Sequence, residues 1–356
     1  MIYGVPWITV NYPYRGMAGG APRLGGALLQ FAMKAIRVNE FGGPTVLRLE
    51  EIAKPSPVDD QVLIEVRAVG VNPVETYVRS GSNPKQALPY TPGTDACGVV
   101  VATGHGVLHV KAGDRVYTSG TLTGAYAEYT LCREGQVHKL PGNLDFESGG
   151  AINIPYATAH RALFHRARAR KGESVLIHGG SGGVGIASIQ LGREAGLAII
   201  ATVGSERGAE LVLHEGAHHV VNHGKAGYQD EILALTDGEG VDIILEMLAN
   251  VNLGADPRLL TRNGRIIVIG SRGKVEINPR DLMTKDADVR GMMLFNTPED
   301  EMERIHRSLA VGFEKRSLRP IIGKRFPLKE AARAHEAVME PRAYGKIILT
   351  VGDAQE

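Results

Sequence analysis

The stretch LIHGGSGGVGIASIQ, residues 176–190, decides the fold. A Val/Leu/Ile run that starts at Ser174 ends in glycines. It passes at once into apolar residues at helical spacing, closed by Gly196 as a C-cap. Gly180, Gly182 and Gly185 fit G-x-G-x-x-G, and they do so between a strand and the helix it feeds, where the pattern has physical meaning. Gly180 then permits a tight turn, Gly182 lets the backbone approach a pyrophosphate, and Gly185 lets helix and strand pack closely. Free N–H groups and the positive dipole end of the helix face the phosphates. The bland alternative is a glycine-rich turn holding no ligand. The complete strand–helix–strand setting favours a dinucleotide.

Downstream, LAIIATVG, AELVLHEGA, HHVVNH, YQDEILALT, VDIILEML and GRIIVIGS continue the alternation of strand and helix. Such alternation means a parallel sheet with helices on both faces. Upstream, from Met33 to about Leu140, AIRV, VLRLE, QVLIEVRAVGV, CGVVVATG, DRVYTS and AEYTLC are short Val-rich runs separated by Gly, Pro and Asp. They predict a compact, mostly antiparallel, barrel-like domain. The tail KRFPLKEAARAHEAVMEPRAYGKIILTV predicts a helix and a last apolar strand, which either closes the first domain or extends the parallel sheet. The expected division is 1–32 extension, 33–153 and 296–356 catalytic domain, and 154–295 dinucleotide domain.

The end of the second strand of the dinucleotide unit selects the cofactor. An NAD site needs Asp or Glu there for the ribose hydroxyls. Here ATVGSERG places Gly204 and Ser205 at that point, which leaves room for a 2′-phosphate. Arg207 and His223 can supply positive charge, while Glu206 argues for NAD. Alone, Arg207 is equally a solvated helix-terminal charge and His223 a surface turn histidine. The balance favours NADPH.

The chain has 356 residues, 43% hydrophobic and 22% charged, with a net charge of +1. It is long enough for two domains, and no global field favours nucleic acid or an anionic membrane. Two cysteines, Cys97 and Cys132, imply a reducing compartment, the cytoplasm, and no disulfide framework. No apolar run reaches a membrane-spanning length. The first 32 residues contain no acid and are rich in Gly, Pro and aromatics. They read as an upstream-extended start ahead of Met33, then as a disordered leader, then as an import signal.

A second stretch, AVGVNPVETYVRSG at 68–81, holds a polar cluster of Asn72, Glu75, Thr76 and Tyr77 with neither His nor Cys. It reads as a surface turn, a proton-relay site or a pocket for a ligand that brings its own chemistry.

With EFGGPTVL, GVNPVETYVRSG, LPYTPGTDACGVV, AGDRVY, HGGSGGVG, EMLANVNL and GSRGKVEINPRD in hand, the sequence resembles the medium-chain dehydrogenase/reductase superfamily. Within it, the sequence is similar to the zeta-crystallin or quinone oxidoreductase branch, over Met33 to Val351. The resemblance implies an α/β protein: a GroES-like, mostly-β catalytic domain plus a Rossmann doubly wound parallel-sheet cofactor domain. It also implies NADPH-dependent reduction of quinones and a homotetramer, with a dimer as the smaller assembly. The zinc alcohol dehydrogenases of the superfamily carry Cys at Asn72, His-Glu at Thr94-Asp95, and a four-cysteine lobe. Zinc needs three or four close N/S ligands, so this chain argues against a catalytic metal.

Carried over by motif, Asn72 and Tyr77 line the nicotinamide and acceptor pocket, donating hydrogen bonds to an oxygen that gains charge. The bland reading is an Asn-Pro turn with Tyr77 in the core. Ser181, Gly182, Gly183 and Val184 match the pyrophosphate loop, Gly204 and His223 the adenosine-ribose side. Asn252, Ile269, Gly270, Ser271 and Arg272 match the dinucleotide border. Met292, Met293 and Leu294 match a strand near the nicotinamide, though GMML alone reads as core or interface packing. Gly180 stands where relatives often have Ala. Two further readings stay open: an NADPH-dependent enone or alkenal reductase, and AU-rich RNA binding or a lens-structural role. RNA binding rests on resemblance alone, since aromatics are 5% and no basic stripe is visible. The basic run HRALFHRARARK at 160–171 reads as a solvated helix end.

Overall fold

The structure, a computed structural model, describes residues 32–83 and 85–352. The expected extension falls on 1–32, so all but Ala32 lies outside the described residues. Strands β1 (Ala32–Val38) and β2 (Leu47–Ala53) form an antiparallel hairpin. Strand β3 (Gln61–Val71) is nearly continuously apolar because both its faces are covered. Helix α1 (Pro73–Arg79) follows, then β4 (Asp95–Thr103), β5 (Arg115–Thr118), β6 (Tyr129–Arg133), β7 (Val137–Lys139) and the short α2 (Phe146–Gly150).

The next segment is wound as π-helical turns, Asn153–Ala157 and Arg161–Arg166, around α3 (Thr158–His160). The nucleotide lobe is then built from β8 (Ser174–Ile177), α4 (Gly183–Glu194), β9 (Ala198–Val203), α5 (Glu206–Glu215), β10 (His219–Asn222), α6 (Tyr228–Ala234), β11 (Val241–Glu246), α7 (Ala249–Asn252), β12 (Leu260–Val268), α8 (Pro279–Met283) and β13 (Asp288–Gly291). The chain closes with α9 (Glu299–Glu314), β14 (Ile322–Pro327), α10 (Ala331–Ala337) and β15 (Lys346–Thr350). Among the described residues no helix is long and apolar enough to cross a membrane.

The six nucleotide-lobe strands are all parallel, in the order β10-β9-β8-β11-β12-β13. This is the doubly wound order, with its switch point between β8 and β11. The other sheet runs β14-β15-β3-β4-β5-β7, with β6 also on β3. One edge of β3 serves two partners: Gln61–Glu65 pairs with β6, and Ala68–Val71 pairs with β15. Its register with β4 slips between Leu63 and Ile64 and again between Val66 and Ala68. Such bulges bend a strand and let the sheet curl into a partial barrel. The final apolar strand therefore joins the sheet of the first lobe.

Between the lobes lies a core of Tyr156, Ile305, Leu309 and Phe313 against Val175, Ile177 and Ile267. Tyr156 and Phe313 meet edge to face at 4.9 Å. The basic run at 160–171 is a solvated end only at its C-terminal residues, where Arg168, Arg170 and Lys171 are exposed. Arg161 is buried, donating to Glu301 at 2.8 Å and to the Met293 carbonyl at 2.7 Å. Its charge is spent on joining α9 and the segment after β13 to the interlobe helix.

His138 of β7 stacks on His306 of α9, with ring centroids 4.0 Å apart. Tyr117 shares a hydrogen bond with His306 Nδ1 at 3.0 Å, and Ser119 shares one with His138 Nε2 at 2.9 Å. Burial, helped by the His109 charge, pushes His138 down to about 4. The unfolded ring takes a proton near its ordinary value of about 6.5. Below that pH the unfolded chain binds a proton the folded ring refuses, so the contribution of His138 to stability is lost as pH falls from about 6.5 toward about 4. Histidine ring signals in NMR should show His138 still neutral at pH 5. A ring that titrates near its ordinary value would contradict the burial.

Candidate active site

The glycine loop sits at the C-terminal edge of the parallel sheet, where β8 hands over to α4. Its left-handed residue is Gly179, φ +64°, one position before Gly180, to which the sequence reading gives the turn. Gly180 has another task. Its N–H donates to the Thr202 carbonyl at 2.8 Å, and a Cβ there would lie 2.9 Å from the Ala201 methyl. Gly185 is the close-approach glycine, as its place in the motif implies: a Cβ would fall 2.4 Å from the Gly179 oxygen. Gly182 stands at the N-cap of α4 with no side-chain cap, so the first-turn N–H groups are left for a ligand or water. Gly183 and Val184 are the first two residues of that turn.

One partner of the loop comes from far along the chain. Gly345 N–H donates to the Ser181 carbonyl at 2.8 Å, and the Ser181 hydroxyl donates to the Ala343 carbonyl at 2.6 Å. The same segment reaches the end of β9. A side chain at Gly204 would meet His223 Nε2 at 3.0 Å and Arg342 Cγ at 3.4 Å. Arg207 lies over the Tyr344 ring, 3.8 Å from its centroid. Ser205 caps α5, its hydroxyl accepting from Gly208 N–H at 3.1 Å. Gly204, Ser205, Arg207 and His223 are thus brought together, joined by Arg342 and Tyr344, which sequence reasoning missed. The pocket offers cations and no carboxylate at the strand end; Glu206 is exposed.

At the border of the nucleotide site, Ile269 and Gly270 donate to the Glu246 carbonyl at 2.9 and 3.2 Å, and the Gly270 carbonyl accepts from Ala249. Ser271 and Arg272 are exposed, and Arg272 N–H donates to Asn250 Oδ1 at 2.8 Å. Asn252 donates to Glu246 Oε1 at 3.3 Å. Beneath them His178, Glu246 and Asp256 form a buried group, with His178 Nε2 3.0 Å from Asp256 Oδ1. Burial raises the Glu246 carboxyl, with Asp256 adding to the rise and His178 opposing it. Met292 and Leu294 lie in the interlobe core, while Met293 is partly exposed.

In the other lobe, AVGVNPVETYVRSG proves to be the end of β3 and helix α1. Asn72 is the N-cap, Pro73 takes the first helical position, and Glu75 reaches back to accept from Asn72 N–H at 2.9 Å. The Asn72 side chain is 1% exposed and turned inward. Its amide donates to Asp95 Oδ2 at 3.1 Å and to the Gly70 carbonyl at 3.3 Å, and its oxygen accepts from Lys346 Nζ. Both amide protons are therefore engaged, which leaves none for an acceptor. Lys346 also pairs with Asp95 at 3.5 Å, and Asp95 accepts from Asn153 at 2.9 Å. Burial lowers the Lys346 pKa, with Asp95 and Glu75 opposing the fall. Tyr77 is half-buried, and no side-chain hydrogen bond engages it among the described residues.

Beside this network opens a cleft walled by Val74, Val78, Pro92 and Phe295, with Glu75 and Thr94 also on its surface. Tyr77 is not on that wall. Burial pushes the Glu75 carboxyl up to about 7, against the Tyr126 hydroxyl, the Asn72 N–H and the Lys346 charge. A smaller cavity of about 180 Å³ between the lobes is lined by Gly183, Tyr156 and Lys346. Lys346 thus stands between the start of α4 and Asn72, the N-cap of the helix whose Val74, Glu75 and Val78 line the cleft. A zinc ion does not fit here. Asn72, Thr94 and Asp95 supply no thiolate or imidazole, and an ammonium already fills the space between the amide and the carboxylate.

Replacing Lys346 by Met should cost about 3–5 kcal/mol, because it leaves Asp95 and Asn72 buried without their cation. Urea unfolding measures this; a loss under about 1 kcal/mol would show that the ammonium is not structural.

The comparisons agree with this architecture. Residues 58–142 match the alcohol dehydrogenase GroES-like domain, and residues 183–310 match the zinc-binding dehydrogenase family. A quinone oxidoreductase of Homo sapiens is 52% identical over 323 residues, covering 90% of this chain and 98% of the relative; that of Rattus norvegicus is 51% identical over the same shares. Among solved structures, the quinone oxidoreductase of Escherichia coli complexed with NADPH superposes with a TM-score of 0.82 at 28% identity, covering 89% of this chain and 99% of that one. A mycobacterial protein complexed with NADPH gives 0.83 at 30%, over the same shares. This chain belongs to the quinone oxidoreductase branch of the medium-chain dehydrogenase/reductase superfamily.

Proposed function

We propose that this enzyme reduces quinones, ortho-quinones among them, with NADPH and without zinc. The observation that carries the reading is the adjacency just described. An uncapped helix start and a cationic pocket suit the dinucleotide, and one lysine separates them from an apolar cleft. NADPH, when bound, supplies the hydride. The chain's own residues do the rest. Gly182 and the first turn of α4 offer N–H groups to the pyrophosphate. Arg207 and Arg342 answer a 2′-phosphate that Gly204 leaves room for, with His223 beside them. Phe295, Val74 and Val78 exclude water from the cleft and hold a flat apolar ring. Asn72 acts by fixing Lys346 and the start of α1. Tyr77 is the remaining donor on that helix and is assigned to the nicotinamide or acceptor edge.

The named relatives support the acceptor class, and the NADPH-complexed neighbours support the cofactor. The outer edge of β13, with Val289 and Met293 partly exposed, supports assembly of copies into a dimer or homotetramer. Two buried free thiols, Cys97 and Cys132, suit a reducing cytoplasm. For the domain limits, the return of β14 and β15 to the β3 sheet supports a catalytic lobe completed from within 296–356.

Fluorescence titration tests the cofactor assignment. The double variant R207A/R342A should weaken NADPH binding by about tenfold or more while leaving NADH within about twofold. Equal losses for both dinucleotides would remove the 2′-phosphate from this pocket. A steady-state panel of 1,2-naphthoquinone against a trans-2-alkenal tests the acceptor, and faster turnover of the alkenal would overturn the quinone assignment.

A further inference from the structure

Three ionisable side chains are enclosed beneath the dinucleotide site. His178 follows β8, Glu246 ends β11, and Asp256 opens the turn Asp256–Leu259 before β12; none is more than 3% exposed. His178 Nε2 lies 3.0 Å from Asp256 Oδ1 and 3.6 Å from Glu246 Oε2. Among the described residues no other cation pairs with either carboxyl. A neutral imidazole would leave Asp256 as a buried carboxylate without a counter-charge, which costs more than a paired ion. Burial acts against a charge on the ring. The hydrogen bond and charge of Asp256, with the charge of Glu246, outweigh it and raise the proton affinity of His178 above its ordinary value.

A charge on this ring fixes the direction of the hydrogen bonds that lead away from it. An imidazolium donates from both nitrogens, so Nε2–H goes to Asp256 and Nδ1–H goes to the Thr202 hydroxyl oxygen at 3.3 Å. The same oxygen accepts from Gly179 N–H of the glycine loop at 3.2 Å. With both acceptor positions used, Thr202 has its own proton left to give, and its remaining partner is His223 Nδ1 at 3.4 Å. His223 then accepts at Nδ1 and, as a neutral ring, carries its proton on Nε2. Burial, and after it the charge of His178, lower the proton affinity of His223 and keep it neutral. Nε2 is the atom that faces the space left by Gly204, 3.0 Å from where a Cβ would stand. Were His178 neutral, Thr202 would be free to donate to it instead, and His223 would turn a lone pair toward that space.

We propose that His178 is a positioning residue for the dinucleotide: a buried imidazolium that, through Thr202, fixes His223 as a neutral ring with its Nε2–H turned toward the 2′ substituent of the adenosine ribose. His223 contributes a directed donor, while Arg207 and Arg342 contribute the charge. A lone pair at Nε2 would repel a phosphate oxygen, so the proton held on His178 decides what the far end of the network can accept. The inference rests on the assignment of the 2′-phosphate to this pocket, and the test separates the two.

Nitrogen-15 NMR of the imidazole rings, with signals assigned by H178Q and H223Q, reads the network in the protein alone. At pH 8 His178 should still carry both protons, and His223 should be neutral with its proton on Nε2. A neutral His178, or a proton on His223 Nδ1, would overturn the proposal whichever dinucleotide binds. T202V removes the hydroxyl and keeps the side-chain volume. It should release His223 to a mixture of tautomers and weaken NADPH binding about tenfold more than NADH binding. T202S, which keeps the hydroxyl, should stay within about twofold of wild type for both. Wild-type NADPH affinity in T202V, or equal losses for both dinucleotides while R207A/R342A stays selective, would also overturn the proposal. Equal losses in both variants, with the ring signals as expected, would overturn the 2′-phosphate assignment alone.

Discussion

The structure turns on one buried ammonium. Lys346 stands at the first position of β15, where it bonds to the amide of Asn72 and pairs with Asp95. Isolated in an apolar interior, any of these three would be costly; together they offset one another's desolvation. The three residues come from the end of β3, the start of β4 and the last strand of the chain. The ion pair therefore ties the C-terminal strand to the end of β3 and the start of β4. The same tail bonds to the glycine loop one and three residues earlier, through Gly345 and Ala343. One short segment thus sets the position of the glycine loop relative to the cleft.

That arrangement also accounts for the amide, hydroxyl and carboxyl groups at the site. Where zinc relatives are expected to place a thiolate and an imidazole, this chain has donors that suit an ammonium. The positive charge remains but moves below the floor, enclosed and tethered. A cation held there orients Asn72 and the start of α1. A good hydride acceptor such as a quinone gains most from being positioned, with modest electrostatic help.

Much of this was legible in the sequence, for reasons that differ by residue. The strands of both lobes were readable because long apolar runs between Gly and Pro have few other solutions. The parallel order followed from strict strand–helix alternation. The glycine loop was readable because backbone clearance leaves a spacing pattern, although the left-handed turn falls on Gly179 and Gly180 serves close packing instead. Other features leave no local trace. Strands β13 and β14, with sequences DVRG and IGKRFP, are charged edge strands without an apolar alternation. Arg342, Tyr344 and Lys346 lie more than a hundred residues from the groups they meet, and only the fold brings them there. Arg161, within the basic run at 160–171, was misread for the same reason, since it finds Glu301 across 140 positions. Asn72 was placed on the acceptor by analogy, and its engaged amide shows that a motif position can be kept while its contacts change.

Glu75 shows how local structure and chemistry can share one side chain. As the third residue of α1 it satisfies the N–H of Asn72, an ordinary capping task for a surface carboxylate. Here the helix start is buried against Tyr126 and beside Asp95, so the cap has lost its water. Desolvation lifts its proton affinity toward neutrality, while the hydroxyl and amide donors on Oε2 keep that oxygen an acceptor. A shorter carboxylate could cap the helix, and a more exposed one could do so without a raised proton affinity. A capping carboxyl buried beside an apolar cleft is both held in place and raised in proton affinity.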